Sequence, residues 1–464
     1  LVARGYSGDH FLTKAMLGAA AVHENMRELD NVRANRPLRV LMLSWEYPPV
    51  VVGGLGRHVH ALATSLVEAG HEVTVVTRHA PGAPLEEYIE GVRVIRAPED
   101  PPLFPLATST LLAWTMAFNH TLTRAALRAA DSGDYDIIHA HDWLVTHTAV
   151  TLKEHLDLPL VATIHATEAG RHQGWLPGEM NKCIHSVEWW LGHEACRVLV
   201  CSEYMRWEVT RLLDLAPARV SVVPNGVDAA VWRAPSRAVS AARSRFAGEG
   251  PLIGYAGRLV YEKGVQDLIA ALPELRANHP GLRVVIAGDG PHRGELQEDV
   301  RRLKLQRAVS FAGFMGDGEL PALMAATDAL VVPSIYEPFG MVALEGASAG
   351  APLAVAATGG LTEIVEEGVT GVKFAAKNPD ALAASVGSLL EDEMFARRVA
   401  KEARVMVNER YSWDTICDHT ATVYTTAVHE APGFAAKQAD TYMEQGRPRI
   451  VVPEGNLLAL EGAL

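Results

Sequence analysis

Short apolar runs alternate with helix-patterned segments twice along this chain, and that arrangement leaves few folds open. The first series starts at RVLML (39–43) and continues with strand candidates at 73–76, 92–95, 137–139, 160–164, 198–201 and 220–223. The second runs LIGYAG (252–257), RVVIAG (283–288), VSFAG (309–313), ALVVPS (329–334), LAVAAT (353–358) and GVKF (371–374). Strands that take turns with helices build a doubly wound parallel sheet. Two such α/β sheets of similar size are therefore expected. Ligands of these sheets sit outside the carboxyl ends of the strands, which points to the cleft between the two.

The divisions follow from the pattern. Residues 1–36 form an extension without strand character, 37–228 the first Rossmann-like unit, and 229–250 a linker enriched in Pro, Ser, Arg and Gly. Residues 251–410 make the second unit, 411–429 a last helix, and 430–464 an irregular tail with Pro and Gly breaks. With 464 residues, 48% of them hydrophobic, there is material for two cores. The net charge of -13, without a Lys/Arg run or interleaved aromatics, argues against a nucleic-acid partner. No apolar run approaches the roughly 18 residues of a membrane span. The start lacks the basic-then-apolar order of a signal peptide, so a cytoplasmic protein is expected. The helix pattern at 110–130, with Leu111, Trp114, Met116 and Phe118, wraps its apolar residues around more than one face and reads as core, not as a membrane-surface helix. Cys183, Cys196, Cys201 and Cys417 match neither a disulfide framework nor a zinc knuckle and read as buried free thiols.

The richest stretch is VVPSIYEPFGMVALEGASAG (331–350), a strand, a loop carrying Glu337, and a Gly-gated helix carrying Glu345. The first amides of a helix lack internal partners and lie at the positive end of its dipole, so Gly340, Met341 and Val342 suit phosphate. Carboxylates repel phosphate; Glu337 and Glu345 suit hydroxyl groups instead, and a ligand with both is a nucleotide sugar. The two acids are eight residues apart, about 12 Å along a helix, too far for a tight dyad. Gly53 and Gly54 follow the first strand and would let amides approach a diphosphate. They form neither a dinucleotide fingerprint nor a P-loop. Arg258 and Lys263, just after a strand of the second sheet, suit a leaving diphosphate and are expected to face Glu337 across the cleft. IHAHDW (138–143) and TIHATEAGR (163–171) end strands of the first sheet with histidine and acid. His139 and His141 point the same way on a strand but lack an evident third metal ligand, so no metal is assigned. Asp142 and His165 read as contacts to the reacting sugar, and His139 as a core histidine.

Taken together, SWEYPPVVVGGLGRHV, IHAHDW, TIHATEAGRH, VPNGVD, GRLVYEKG, EPFGMVALE and TGG (358–360), in that order, resemble a family 4 retaining glycosyltransferase of the GT-B fold, and most closely the glycogen-synthase-like α-1,4-glucosyltransferases of actinobacteria. The resemblance spans about 38–428. It implies an acceptor-binding first unit, a nucleotide-sugar-binding second unit and a last helix that crosses back to the first. The donor would be UDP- or ADP-glucose and the acceptor an α-glucan, glycogen or a methylglucose polysaccharide precursor. The diphosphate would meet Gly53, Gly54, Gly340, Met341 and Val342, neutralised by Arg258 and Lys263. Glu337 would hold the sugar, Glu345 the ribose, His165 and Asp142 the reacting centre, and Trp143 would stack on the acceptor. No cofactor or metal is implied. Where bacterial glycogen synthases carry Lys two residues before the Gly pair, this chain has Val51, which leaves both donors open. A same-fold transferase with another sugar or with a lipid or small acceptor, and a nucleotide-sugar sensor without turnover, are the alternative readings.

Overall fold

A computed structural model of the chain describes residues 37–98, 106–316 and 318–445. The extension 1–36 and the end of the expected tail lie outside these residues. The first sheet has eight strands, β1 (Arg39–Leu43), β2 (Glu72–Arg78), β3 (Glu86–Ile89), β4 (Val92–Ala97), β5 (Ile137–His141), β6 (Leu160–Ile164), β7 (Arg197–Val200) and β8 (Val220–Val222), in the order β3-β4-β2-β1-β5-β6-β7-β8. All pairs are parallel except the edge pair β3–β4. The second sheet has six parallel strands, β9 (Leu252–Ala256), β10 (Arg283–Ala287), β11 (Val309–Gly313), β12 (Ala329–Val332), β13 (Leu353–Ala356) and β14 (Val372–Phe374), in the order β11-β10-β9-β12-β13-β14.

Strand periodicity sorts the first core into two layers. Leu41, Leu43, Ile138, Ala140, Ala162 and Ile164 face one side, where Trp114, Phe118 and Leu122 of helix Leu111–Asp131 cover them. Val40, Met42, Ile137 and Val161 face the other, against Val59, Leu62, Ala63 and Leu66 of helix Gly54–Glu68. The same layer takes Ile416, Cys417, Tyr424 and Ala427 of the last helix, Trp413–Gln445, which therefore returns from the second sheet to the first. His139 fixes that return. Its Nδ1 lies 2.6 Å from the Tyr424 hydroxyl and its Nε2 2.7 Å from the Thr163 hydroxyl. Burial depresses its pKa to about 3, so it remains neutral, the core histidine expected of it.

Four local features differ from the sequence-based expectations. Strand β3 went unanticipated because EEYI has no apolar face; it is stitched on by Glu87, whose Oε1 lies 2.5 Å from Nη1 of the buried Arg96. The segment expected to be an irregular linker holds helix Ser236–Phe246. Its short apolar stripe, Val239, Ala242 and Phe246, packs on the core without being fully buried. A polar anchor adds to it, with Arg243 donating to Asp328 Oδ2 at 2.6 Å and to the Ala326 carbonyl at 2.9 Å. The last helix continues past Pro432, where a break was expected. Arg219 stacks over the Phe434 ring at 4.7 Å, and Arg197 grips both oxygens of Glu430 at 2.6 and 2.9 Å, tying this portion to the first unit. Cys183 is exposed, whereas the other three thiols are buried. Among the described residues no helix is long and apolar enough to cross a membrane.

Removing the Tyr424 hydroxyl would leave a buried imidazole nitrogen without its partner. Tyr424→Phe is expected to cost about 1–3 kcal/mol, read as a lower midpoint of urea unfolding; an unchanged midpoint would show that the bond contributes nothing.

Candidate active site

In each sheet the strand order reverses direction at one place, between β1 and β5 in the first and between β9 and β12 in the second. A crevice opens at such a switch point, and the candidate residues cluster at both. β1 feeds the glycine loop and β5 leads into Asp142; β9 feeds Arg258 and Lys263, and β12 feeds Glu337.

At the first switch point Asp142 adopts φ 60°, ψ 172°, a region that is essentially glycine territory and costs a side-chain-bearing residue about 1–3 kcal/mol. Two bonds hold it there: its amide donates to the Thr163 carbonyl at 2.9 Å, and its Oδ1 accepts the His165 amide at 2.8 Å. Asp142 and His165 are thus one unit. Trp143 is partly buried and packs on the first core. The glycine loop also differs from expectation. Oε2 of the buried Glu46 accepts the amides of Val52 at 2.7 Å and Gly53 at 3.0 Å, so the Gly53 amide is already engaged by the protein's own carboxylate. Gly54 opens the helix that follows.

At the second switch point Lys263 Nζ lies 2.7 Å from Glu337 Oε2, which also accepts the Ser334 hydroxyl at 2.9 Å. Both charged residues belong to the second unit and sit on neighbouring strand tips, so the expected placement across the cleft is corrected to a pair on one wall. Arg258 is exposed at the tip of β9. Gly340, at φ 119°, turns the chain into helix Met341–Ala349, whose first residues are Met341 and Val342. Glu345 is buried in that helix, 3.4 Å from Nη1 of Arg57 on the first unit. Burial raises its pKa, and Arg57 opposes the shift.

The Glu337 loop is shaped from outside itself. The Ile335 amide donates to the Glu262 carbonyl at 2.8 Å, and the Gly360 amide to the Glu337 carbonyl at 3.0 Å. A Cβ at Gly359 would collide with that same carbonyl, which accounts for the second residue of TGG. From the first unit, Ser202 Oγ donates to the Pro338 carbonyl at 2.6 Å, and the Tyr336 hydroxyl to Glu208 Oε1 at 2.9 Å. Glu208 is fully buried, also accepts the Thr167 hydroxyl at 2.5 Å, and has its pKa raised by burial. Glu363 of the second unit in turn takes the amides of Glu203 and Tyr204 at 3.0 and 2.9 Å, at the start of helix Glu203–Leu212. Sequence reasoning passed over Glu46, which binds amides six and seven residues ahead, and over Arg57, Ser202, Glu208 and Glu363, each of which acts through a partner distant in sequence. It also passed over His58, which meets His141 and His165, one ligand nitrogen from each lying within 4.8 Å of the others.

The fold has counterparts. The structure of a sucrose-phosphate synthase from Thermosynechococcus elongatus superposes with a TM-score of 0.73 at 24% identity, covering 84% of this chain and 99% of that one. A family model described as Glycosyltransferase Family 4 matches residues 52–231, and one described as Glycosyl transferases group 1 matches 236–406. The chain is 44% identical over 428 residues to a glycogen synthase of Mycobacterium tuberculosis, spanning 90% of this chain and 99% of that protein. The chain belongs to the glycogen-synthase-like glycosyltransferases. This glycosyltransferase is also 32% identical to a D-inositol 3-phosphate glycosyltransferase of Kineococcus radiotolerans, over 86% of this chain and 97% of that one. Its two sheets are the two α/β units of the GT-B fold, and the residues described above stand where those units meet.

Tyr336→Phe removes the bond that ties the residue next to Glu337 to the first unit. The expected result is a kcat lower by about tenfold or more, as sub-ångström misplacement of a reacting group produces, with the nucleotide Kd within about threefold. Equal loss in kcat and nucleotide affinity would show that the contact holds the whole unit together and does not serve Glu337.

Proposed function

We propose that this glycosyltransferase moves glucose from UDP- or ADP-glucose to the non-reducing end of an α-1,4-glucan with retention of configuration. The observation that carries the reading is the division of charge at the second switch point. There a lysine and a carboxylate share one wall, giving one group for phosphate and one for sugar hydroxyls within 2.7 Å of each other. In this assignment Arg258 and Lys263 neutralise the diphosphate beside the amides of Gly340, Met341 and Val342. Glu345, oriented by Arg57, takes the ribose. Glu337 holds the donor sugar, and His165 and Asp142 approach it from the first unit. Gly54 is favoured over Gly53 for phosphate, since Glu46 already engages the Gly53 amide.

The chemical step is written as a front-face exchange. The bond from C1 to the phosphate oxygen breaks, and the bond from C1 to the acceptor oxygen forms on the same face. The acceptor's proton passes to the departing phosphate. Fixed cations placed where the leaving group gathers charge lower the barrier electrostatically. Trapping a covalent glucosyl-enzyme would overturn this course. The 44% identity to a glycogen synthase favours a glucan acceptor, and the 32% identity to a D-inositol 3-phosphate glycosyltransferase supports a small phosphorylated acceptor as the second reading.

A matrix of UDP- and ADP-glucose against maltooligosaccharides and inositol phosphate, read as released nucleotide and product length, tests both. Nucleotide release with maltooligosaccharides and lengthened products is the expected outcome; release with inositol phosphate alone would install the second reading, and binding without release a sensor. Glu337→Ala is expected to lower transfer by about 10²-fold or more while calorimetric nucleotide affinity stays within a few fold, because Lys263 then keeps its full charge for phosphate. Lost nucleotide affinity would show that the roles of the pair are misassigned.

A further inference from the structure

His58, His139, His141 and His165 stand together at the tips of the first sheet, and they are not equivalent. His139 has a partner for each ring nitrogen, at 2.6 and 2.7 Å, and is structural. His58, His141 and His165 are arranged otherwise. They arrive from three separate elements, the helix after the glycine loop, the end of β5 and the loop after β6. Nδ1 of His141 lies 3.2 Å from Nε2 of His165, and the rings of His58 and His165 meet edge to face with centroids 4.8 Å apart. Yet Nδ1 of His58 and Nε2 of His141 are buried with no hydrogen-bond partner. Buried ring nitrogens are ordinarily paired, so an orphan nitrogen on His58, the ring that meets both His141 and His165, marks a missing guest.

The chemistry of the cluster narrows the guest. Burial lowers the proton affinity of all three rings, and the neutral imidazole is the form that ligates metals. The Asp142 carboxylate, bonded to the His165 amide at 2.8 Å, places a negative charge beside them. Zinc–nitrogen bonds of about 2.0–2.1 Å in a tetrahedron set ligand atoms roughly 3.3 Å apart. The His141–His165 pair already has that spacing, and His58 needs a modest ring movement to complete it. Imidazole suits zinc and its neighbours, not magnesium or calcium.

We propose that His58, His141 and His165 form a binding site for a divalent transition metal of the zinc type, with the half-buried His165 as the way in from the cleft. A metal here withdraws His165 from the sugar, so the loaded protein is the inactive form. That consequence, unlike the site itself, rests on the role given to His165 in transfer.

The test is titration of the chelator-stripped full chain with Co²⁺, which reports four-coordinate binding by its visible absorption. One equivalent is expected to bind and to be displaced by Zn²⁺. His58→Gln and His165→Gln are each expected to weaken binding at least tenfold with unchanged circular dichroism, while Cys183→Ser, which removes the exposed thiol, leaves it unchanged. Absence of the absorption band, or variant titrations that superimpose on the wild type, would overturn the site. Zn²⁺ inhibition of nucleotide release, reversed by chelator, is assayed separately. Co²⁺ binding without such inhibition upholds the site and removes His165 from the transfer mechanism.

Discussion

The loop from Ile335 to Gly340 owes its shape to neighbours, and the aim of Glu337 depends on that debt. It leaves β12 without a sheet partner and is bonded by the segment that carries Lys263, by TGG, and by the first unit through Ser202 and Glu208. Glu337 sits in the middle of these supports, flanked by Tyr336 and Pro338, both of which are held by the opposite unit. A carboxylate fixed in this way reports on the relation between the two halves. If the units part, the bonds to Tyr336 and Pro338 are lost and the acid loses those supports. Coupling of this kind needs no long-range pathway, because the bonds act on the residues adjacent to Glu337.

Much of the architecture was legible because parallel strands covered on both faces must be almost wholly apolar. β5, β6, β9, β12 and β13 are buried at every residue, and each stands out as a short apolar run. Elements without that constraint were the ones missed. β3 is an edge strand held by a buried arginine, and helix Ser236–Phe246 is anchored by one arginine to a distant aspartate. β3 leaves no apolar trace in its own residues, and the short stripe of Val239, Ala242 and Phe246 is set among arginines and serines. Continuation of the last helix through Pro432 depends in part on contacts from Arg197 and Arg219, more than 200 residues earlier in the chain.

The candidate site shows the same division. Its residues could be found because strand tips at switch points are where α/β proteins collect ligands, and Asp142, His165, Arg258, Lys263, Glu337 and Glu345 all carry chemistry at such tips or at the helix beside them. Their pairings could not be found. That Lys263 meets Glu337 and that Arg57 meets Glu345 are facts of tertiary packing. Local sequence specifies which groups lie at the rim, while the choice of partner is made by the residues that approach from elsewhere in the chain.

The return of the last helix to the first sheet also orders events in time. The layer containing Val40, Met42 and Ile137 is finished by Ile416, Tyr424 and Ala427, and His139 waits for a partner 285 residues downstream. At ribosomal rates of about 5–20 residues per second, that wait is on the order of 15 to 60 s. During synthesis the first unit therefore stands with one apolar flank uncovered while the whole second unit emerges. Nascent chains of this protein would need protection at that flank, and a chain cut short before residue 413 would keep both α/β sheets yet expose the surface that makes an unfinished protein stick to its neighbours.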